Sequence, residues 1–238
     1  MNDNFHVHTK FSDGFFLPEE ICEQAKNQGL KKIGFSDHLF GYKPSLYSKR
    51  QFEEYINNIL QARDLFPLLD LYIGGELDLT SFDETFLPLI KDFDYLNIEY
   101  FHTFSDLKKI DKVRSIFSKP IFLVHIFFNE ERSDDFTHFY IKKKKYHKLI
   151  TELNNLRIGI ELTDGTRNIL ERDGKREPYF IYNKDFYEEA KTALIPLTIG
   201  TDFHSDWNEL ACLQKSRLFI KEMELEENIQ ISYHLLKK

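Results

Sequence analysis

His6-Val7-His8-Thr9-Lys10-Phe11-Ser12-Asp13-Gly14 is the stretch on which the reading of this chain turns. Side chains two apart on a strand share a face, so a strand near residues 4 to 8 presents His6 and His8 together and Phe5 and Val7 on the opposite side. Ser12-Asp13-Gly14 is a turn sequence, in which an aspartate bonds local backbone and a glycine relieves the bend. Two imidazoles on one face followed by a carboxylate can grip a metal ion. A lone His-x-His also fits a half-exposed polar strand, so the remaining chain has to decide.

Working outward, short β-rich segments alternate with longer stretches of helical periodicity, which predicts an α/β fold with a largely parallel sheet. Strands are expected near 4–8, 31–37, 71–78, 94–102, 120–126, 157–163 and 196–202. Pro18 followed by Glu19 and Glu20 marks a helix start, and Gly29 marks its stop. Apolar spacing predicts further helices over 49–65 and 143–154. No repeat or composition break divides the chain, so residues 1–238 are expected to form one domain.

The remaining residues that could carry chemistry recur where strands are expected to end, and parallel α/β sheets bind their ligands there. Ser36-Asp37-His38 closes the second segment, and the third ends in Gly74-Gly75-Glu76. His102 follows Tyr95 to Phe101, and His125 stands in the apolar run Ile121 to Phe128. Thr201-Asp202-Phe203-His204 repeats the two-residue spacing with a carboxylate and an imidazole. His138, His147 and His234 lie in polar stretches and are expected at the surface.

Taken together, HVHTKFSDG, FSDH, GGELD, FHTF, VHI and GTDFH resemble the PHP (polymerase and histidinol phosphatase) superfamily in order and spacing, along nearly the whole chain. The resemblance implies a distorted (βα)7 barrel with a metal site at the C-terminal ends of its strands. It also implies a stand-alone, histidinol-phosphatase-like hydrolase that releases phosphate from a small phosphomonoester by metal-activated hydroxide attack on phosphorus. Carried over position by position, it gives His6, His8, Glu76 and Asp202 to one ion, with Glu76 bridging to a second held by His102 and His125. Asp13, His38 and His204 would hold a third. The cofactors are thus two or three divalent ions, and the mixed imidazole and carboxylate shell suits zinc, manganese or iron. Asp37 is expected to support ligands without being one. Glu76, Asp202 and His204 are the catalytic candidates, either of the last two as proton carrier. Arg167, in Glu161-Leu162-Thr163-Asp164-Gly165-Thr166-Arg167, resembles a substrate clamp of histidinol-phosphatase-like members; a surface arginine in a glycine turn is the competing reading.

Bulk properties narrow the partners. A net charge of -7 argues against a broad nucleic-acid surface, and the basic run Lys142 to Lys145 follows acidic residues as a solvated face would. A small phosphorylated substrate stays compatible, because bound cations reverse the local sign. No apolar run approaches the roughly 18 residues of a membrane span, and Cys22 and Cys212 lack paired spacing. Both thiols are expected to be buried or partly buried, and the protein to be cytoplasmic. Three alternatives remain open: a phosphodiesterase or nuclease, which needs a basic aromatic groove; an amidohydrolase, which needs an eighth strand; and a metal-stabilised binding module. The sequence leaves the true substrate and the oligomeric state undetermined.

Overall fold

A computed structural model of the chain describes residues 2–41, 43–101, 103–126, 145–165, 169–172 and 174–237. In chain order the elements are β1 (Asp3–Val7), α1 (Pro18–Asn27), β2 (Lys32–Phe35), β3 (His38–Leu39), α2 (Lys49–Leu65), β4 (Asp70–Ile73), β5 (Glu76–Asp78), β6 (Leu96–Glu99), α3 (Leu107–Ile116) and β7 (Ile121–Leu123). After them come α4 (Tyr146–Leu156), β8 (Gly159–Thr163), β9 (Ile169–Arg172), β10 (Lys175–Pro178), α5 (Lys184–Thr192), β11 (Leu197–Gly200), α6 (Trp207–Leu210), α7 (Gln214–Met223) and α8 (Glu226–Leu236). Short 3-10 turns join some of them.

The strands form parallel sheets, β1-β2-β4 and β11-β8-β7-β6-β5-β3, plus the antiparallel hairpin β9–β10. Parallel strands covered by helices are buried along their whole length, as β1 and β8 are at every residue. The two sheets adjoin where chain runs pass from one to the other: Gly74 N donates to Phe35 O at 2.8 Å and Glu76 N to Asp37 O at 2.9 Å. On the other side, Val7 bridges Phe203 in parallel, and His8 N donates to Phe203 O at 2.9 Å. The first strand therefore lies beside the segment that follows the last.

Helix α1 starts on Pro18, the side chain of Glu20 accepts from Leu17 N at 2.7 Å, and Gly29 takes the left-handed φ of 77° beyond its end. In α2 the buried residues Phe52, Tyr55, Ile59 and Ala62 follow the helical repeat. Among the described residues, no helix is long and apolar enough to cross a membrane.

The strand spans and the burial of one cysteine need correction. The segment expected as one strand over 71–78 is two short strands, and the one expected over 31–37 stops at Phe35, with β3 opening beyond it at His38, because the ladder breaks at Gly74-Gly75 and at Ser36-Asp37. At Gly74 a Cβ would stand 2.4 Å from the Tyr95 ring, whose hydroxyl donates to Phe5 O at 2.9 Å, so only glycine lets that ring span the interior. β1 shifts register between Asn4 and Val7; Phe5 packs with Tyr72, Tyr95 and Phe122, and Val7 joins the main core. The hairpin β9–β10 was not expected from its charged sequence; Gly174, at φ 72°, lies in its turn. Finally, Cys22 is buried but Cys212 is exposed.

Candidate metal centre

The carboxyl ends of β1, β6, β7 and β11, the first residues of β3 and β5 and the middle of β8 converge, and each delivers at least one titratable side chain. His6 and His8 arrive from β1 with their Nε2 atoms 3.1 Å apart. Glu76, the first residue of β5, lies between four imidazoles: its oxygens are 3.4 Å from His6 Nε2, 3.3 Å from His8 Nε2, 3.1 Å from His38 Nδ1 and 3.7 Å from His125 Nδ1. Asp202 Oδ1 closes the group at 3.4 Å from His6 Nε2 and 3.2 Å from His8 Nε2. Beside it, Asp13 Oδ1 lies 3.5 Å from His8 Nδ1, 3.5 Å from His38 Nε2 and 3.1 Å from His204 Nε2.

Backbone geometry places these groups. His125 and Asp202 themselves adopt left-handed φ values of 54° and 56°, and Phe40 and Tyr100, just past β3 and β6, adopt 59° and 57°. Non-glycine residues pay for that conformation, and its recurrence at strand ends turns the side chains into one cluster. Asp37 does not enter the cluster: it accepts from Thr9 N at 2.9 Å, Thr9 Oγ1 at 2.9 Å and Ser12 Oγ at 2.6 Å, so it fastens the loop that carries Asp13. Gly200 ends β11 where a Cβ would be 2.4 Å from His6 Cβ.

Two hydrogen bonds select ring tautomers. His6 Nδ1 donates to Glu161 Oε1 at 2.9 Å, and His204 Nδ1 donates to Asp202 O at 2.7 Å. In each ring the Nε2 lone pair is thereby aimed into the cluster, as metal-ligating histidines require.

The electrostatics call for cations. Burial alone would lower His38, yet Glu76, Asp13 and Glu99 raise it to about 10. Burial is likewise outweighed at His6, which Glu161, Glu76 and Asp202 hold well above its ordinary value. His8 is driven down to about 3 by burial and by its neighbours His38 and His204. Burial would raise Asp13, but hydrogen bonds from His204 and His38 hold it far below the carboxylate range. Glu76 is fully buried, and among the described residues neither oxygen accepts a hydrogen bond. A buried carboxylate left among ring nitrogens in this way fits a bound divalent ion. Among the described residues, four sets of donors lie close enough to share one: His6, His8, Glu76 and Asp202; His8, Asp13, His38 and His204; His6, His125 and Glu161; and His38, Glu76 and Glu99.

The structure thus brings together His6, His8, Asp13, His38, Glu76, His125, Asp202 and His204. His102 and Arg167 lie outside the described residues, as does His138. His147 and His234 are exposed in helices. Three residues at the cluster were not anticipated as members: Glu161, Glu99 and Lys43. Glu161 was legible, because a charge inside Ile158-Gly159-Ile160-Glu161-Leu162 is as anomalous as a histidine in β7's run. Glu99 ends β6 with its oxygens 3.2 Å from His38 Nδ1 and 3.3 Å from Lys43 Nζ.

The PHP domain family matches residues 4–155 of this chain. No curated protein matches. Among solved structures, a two-domain protein from Bacteroides vulgatus containing a predicted PHP-like metal-dependent phosphoesterase is 17% identical with a TM-score of 0.50 over 90% of this chain, which spans 55% of that protein. A structure from the pair YwqE of Bacillus subtilis and CpsB of Streptococcus pneumoniae, metal-dependent tyrosine phosphatases, is 16% identical with a TM-score of 0.63, covering 99% of this chain and 94% of its own. The homocysteine methyltransferase MmuM from Escherichia coli reaches a TM-score of 0.50 at 10% identity, covering 83% of this chain and 84% of its own, so such likeness speaks for the fold alone. The family match takes in the first motifs through His125, while Glu161, Asp202 and His204 join them only in space. On that match, covering well over half its length, the chain belongs to the PHP domain family.

Proposed function

We propose that this chain is a metal-dependent phosphoesterase that releases phosphate from a small phosphomonoester, built as a single distorted (βα)7 barrel. The observation that carries it is Glu76: a fully buried carboxylate facing four imidazoles, which among the described residues accepts no hydrogen bond. The PHP family match supports the same reading, as do the phosphoesterase and tyrosine phosphatase descriptions of two of the structurally similar proteins.

His6, His8, Glu76 and Asp202 would hold one ion, and Asp13, His38 and His204, with His8, another; His125 and Glu161 flank the first. Zinc, manganese and iron all suit this donor set. When bound, such ions lower the pKa of a water molecule and neutralise phosphoryl oxygens. The chain's own residues do the rest. Glu161 and the carbonyl of Asp202 keep the rings of His6 and His204 turned inward. Asp202 and Asp13 have side chains 11% and 21% exposed, against 0% for Glu76, so they mark the open side from which an ester enters. Asp202 on that side is placed to hold or pass on the proton needed by the leaving alkoxide, whereas His204, proposed from sequence for the same role, has both ring nitrogens engaged. Arg167 is proposed as a further phosphate contact.

The test is phosphate release by protein stripped of metal and reconstituted with each of the three metals. The panel contains histidinol phosphate, a phosphotyrosine peptide, nucleotides, sugar phosphates and a phosphodiester. Turnover of a monoester that falls to background with chelator and in Glu76→Ala is the expected result. Preference for the diester would overturn the monoesterase reading, and no hydrolysis of any compound would overturn the enzyme.

A further inference from the structure

The chain leaves β3 at Leu39 and returns at Leu46 to the same strand. Leu46 N donates to His38 O at 2.9 Å, Phe40 N donates to Leu46 O at 3.3 Å, and Leu39 bridges Leu46. Between these points the loop is tied down twice more: Ser45 Oγ donates to Lys43 O at 2.7 Å, and the Tyr47 hydroxyl donates to Gly41 O. Phe40 is buried against Phe52, with ring centroids 5.5 Å apart. A loop held in this way presents its tip in a fixed place.

At the tip is Lys43. Its side chain is 41% exposed, yet its ammonium stands 3.3 Å from Glu99 Oε2 and 3.1 Å from His38 Nε2. Partly exposed, with its ammonium against Glu99 and His38, the lysine sits at the rim of the cluster, where an anionic substrate would arrive. A merely structural ion pair would need only Glu99, but Glu99 already has an imidazole, His38 Nδ1, at 3.2 Å. With an ion on the His38 set, the Lys43 ammonium faces a second positive charge nearby. Two like charges so close are best accommodated by an anion shared between them, and a compact ammonium is well suited to a phosphoryl oxygen.

We propose that Lys43 is a phosphate-binding residue of this centre, taking one non-bridging oxygen of the phosphoryl group while Glu99 keeps the ammonium aimed. The proposal rests on the phosphoesterase reading above and names a residue that recognises the substrate. It is tested on metal-reconstituted wild type, Lys43→Gln and Lys43→Arg, by KM and kcat on the best ester, by inhibition with inorganic phosphate, and by bound metal. In Lys43→Gln, KM and the inhibition constant for phosphate should both rise about tenfold or more, with metal content unchanged and Lys43→Arg close to wild type. Unchanged KM and phosphate affinity in Lys43→Gln would overturn the proposal. So would a change in bound metal, which would make Lys43 a partner of the ligands instead. If wild type hydrolyses no ester, the phosphoesterase reading falls by itself. Calorimetric titration of inorganic phosphate into the two metal-loaded proteins then decides Lys43: weaker binding to Lys43→Gln supports it, and equal binding or none to either overturns it.

Discussion

His6 comes to the cluster with one nitrogen already engaged, and that engagement is the work of a residue outside the expected set. Glu161 also accepts from Thr163 Oγ1 at 2.7 Å, so its own carboxylate is held while it holds the ring. Such supporting partners typically contribute 10- to 100-fold in metal affinity. Glu161→Gln should therefore weaken metal binding by about 10- to 100-fold, measured by competition with a chromophoric chelator; unchanged affinity would count against the orienting role. Residues such as His6, His8, Asp13, His38, Glu76, Asp202 and His204 were legible because they stand at junctions between apolar segments and turns. Lys43 was not, because its reach depends on how residues 40–46 fold back, which no local pattern encodes. Glu99 was hidden for a different reason: His102, three residues on, drew attention to the same strand end.

Among the elements, the strands were legible from their apolar character but their interruptions were not. A run such as Lys31 to Asp37 reads as continuous because burial on both faces leaves no alternation to betray a break. The loop after β8 shows how one element fixes another. Asp164 accepts from Ser216 N at 2.8 Å and from Ser216 Oγ at 3.0 Å, which caps the start of α7 from a distant part of the sequence. Burial raises its carboxyl to about 6 from an ordinary 3.8, against the opposing pull of those hydrogen bonds. Between these two values the folded chain keeps a proton that the unfolded chain has released. This group therefore favours folding increasingly as pH falls from above 6 toward 4, and opposes it above 6. In Asp164→Asn that contribution should vanish, seen as a smaller gain in urea midpoint between pH 7 and pH 5 than wild type shows. An identical gain in both proteins would refute the assignment.

At the scale of the whole molecule, a chain with a net charge of -7 gathers Asp13, Glu76, Glu99, Glu161 and Asp202 around one centre. Divalent ions that bind only the folded form stabilise it by about 2.7 kcal/mol at a concentration one hundred times Kd. For a chain of this size that corresponds to a rise in Tm of roughly 5 to 10 °C. Thermal unfolding of chelated and zinc- or manganese-loaded protein should show that difference, and Glu76→Ala should lose most of it. Equal melting temperatures would argue against ions at this centre.

The pairing of the first strand with the end of the last reaches beyond catalysis, into how the protein is made. Asn4 Nδ2 donates to Thr201 Oγ1 at 2.8 Å across 197 positions of sequence. At about 5 to 20 residues per second, a ribosome needs roughly 10 to 40 s to supply that partner. Throughout that interval the edge of β1 that later meets Phe203, apolar at Phe5 and Val7 and lined with histidines, lacks its partner and stays open to pairing with other chains.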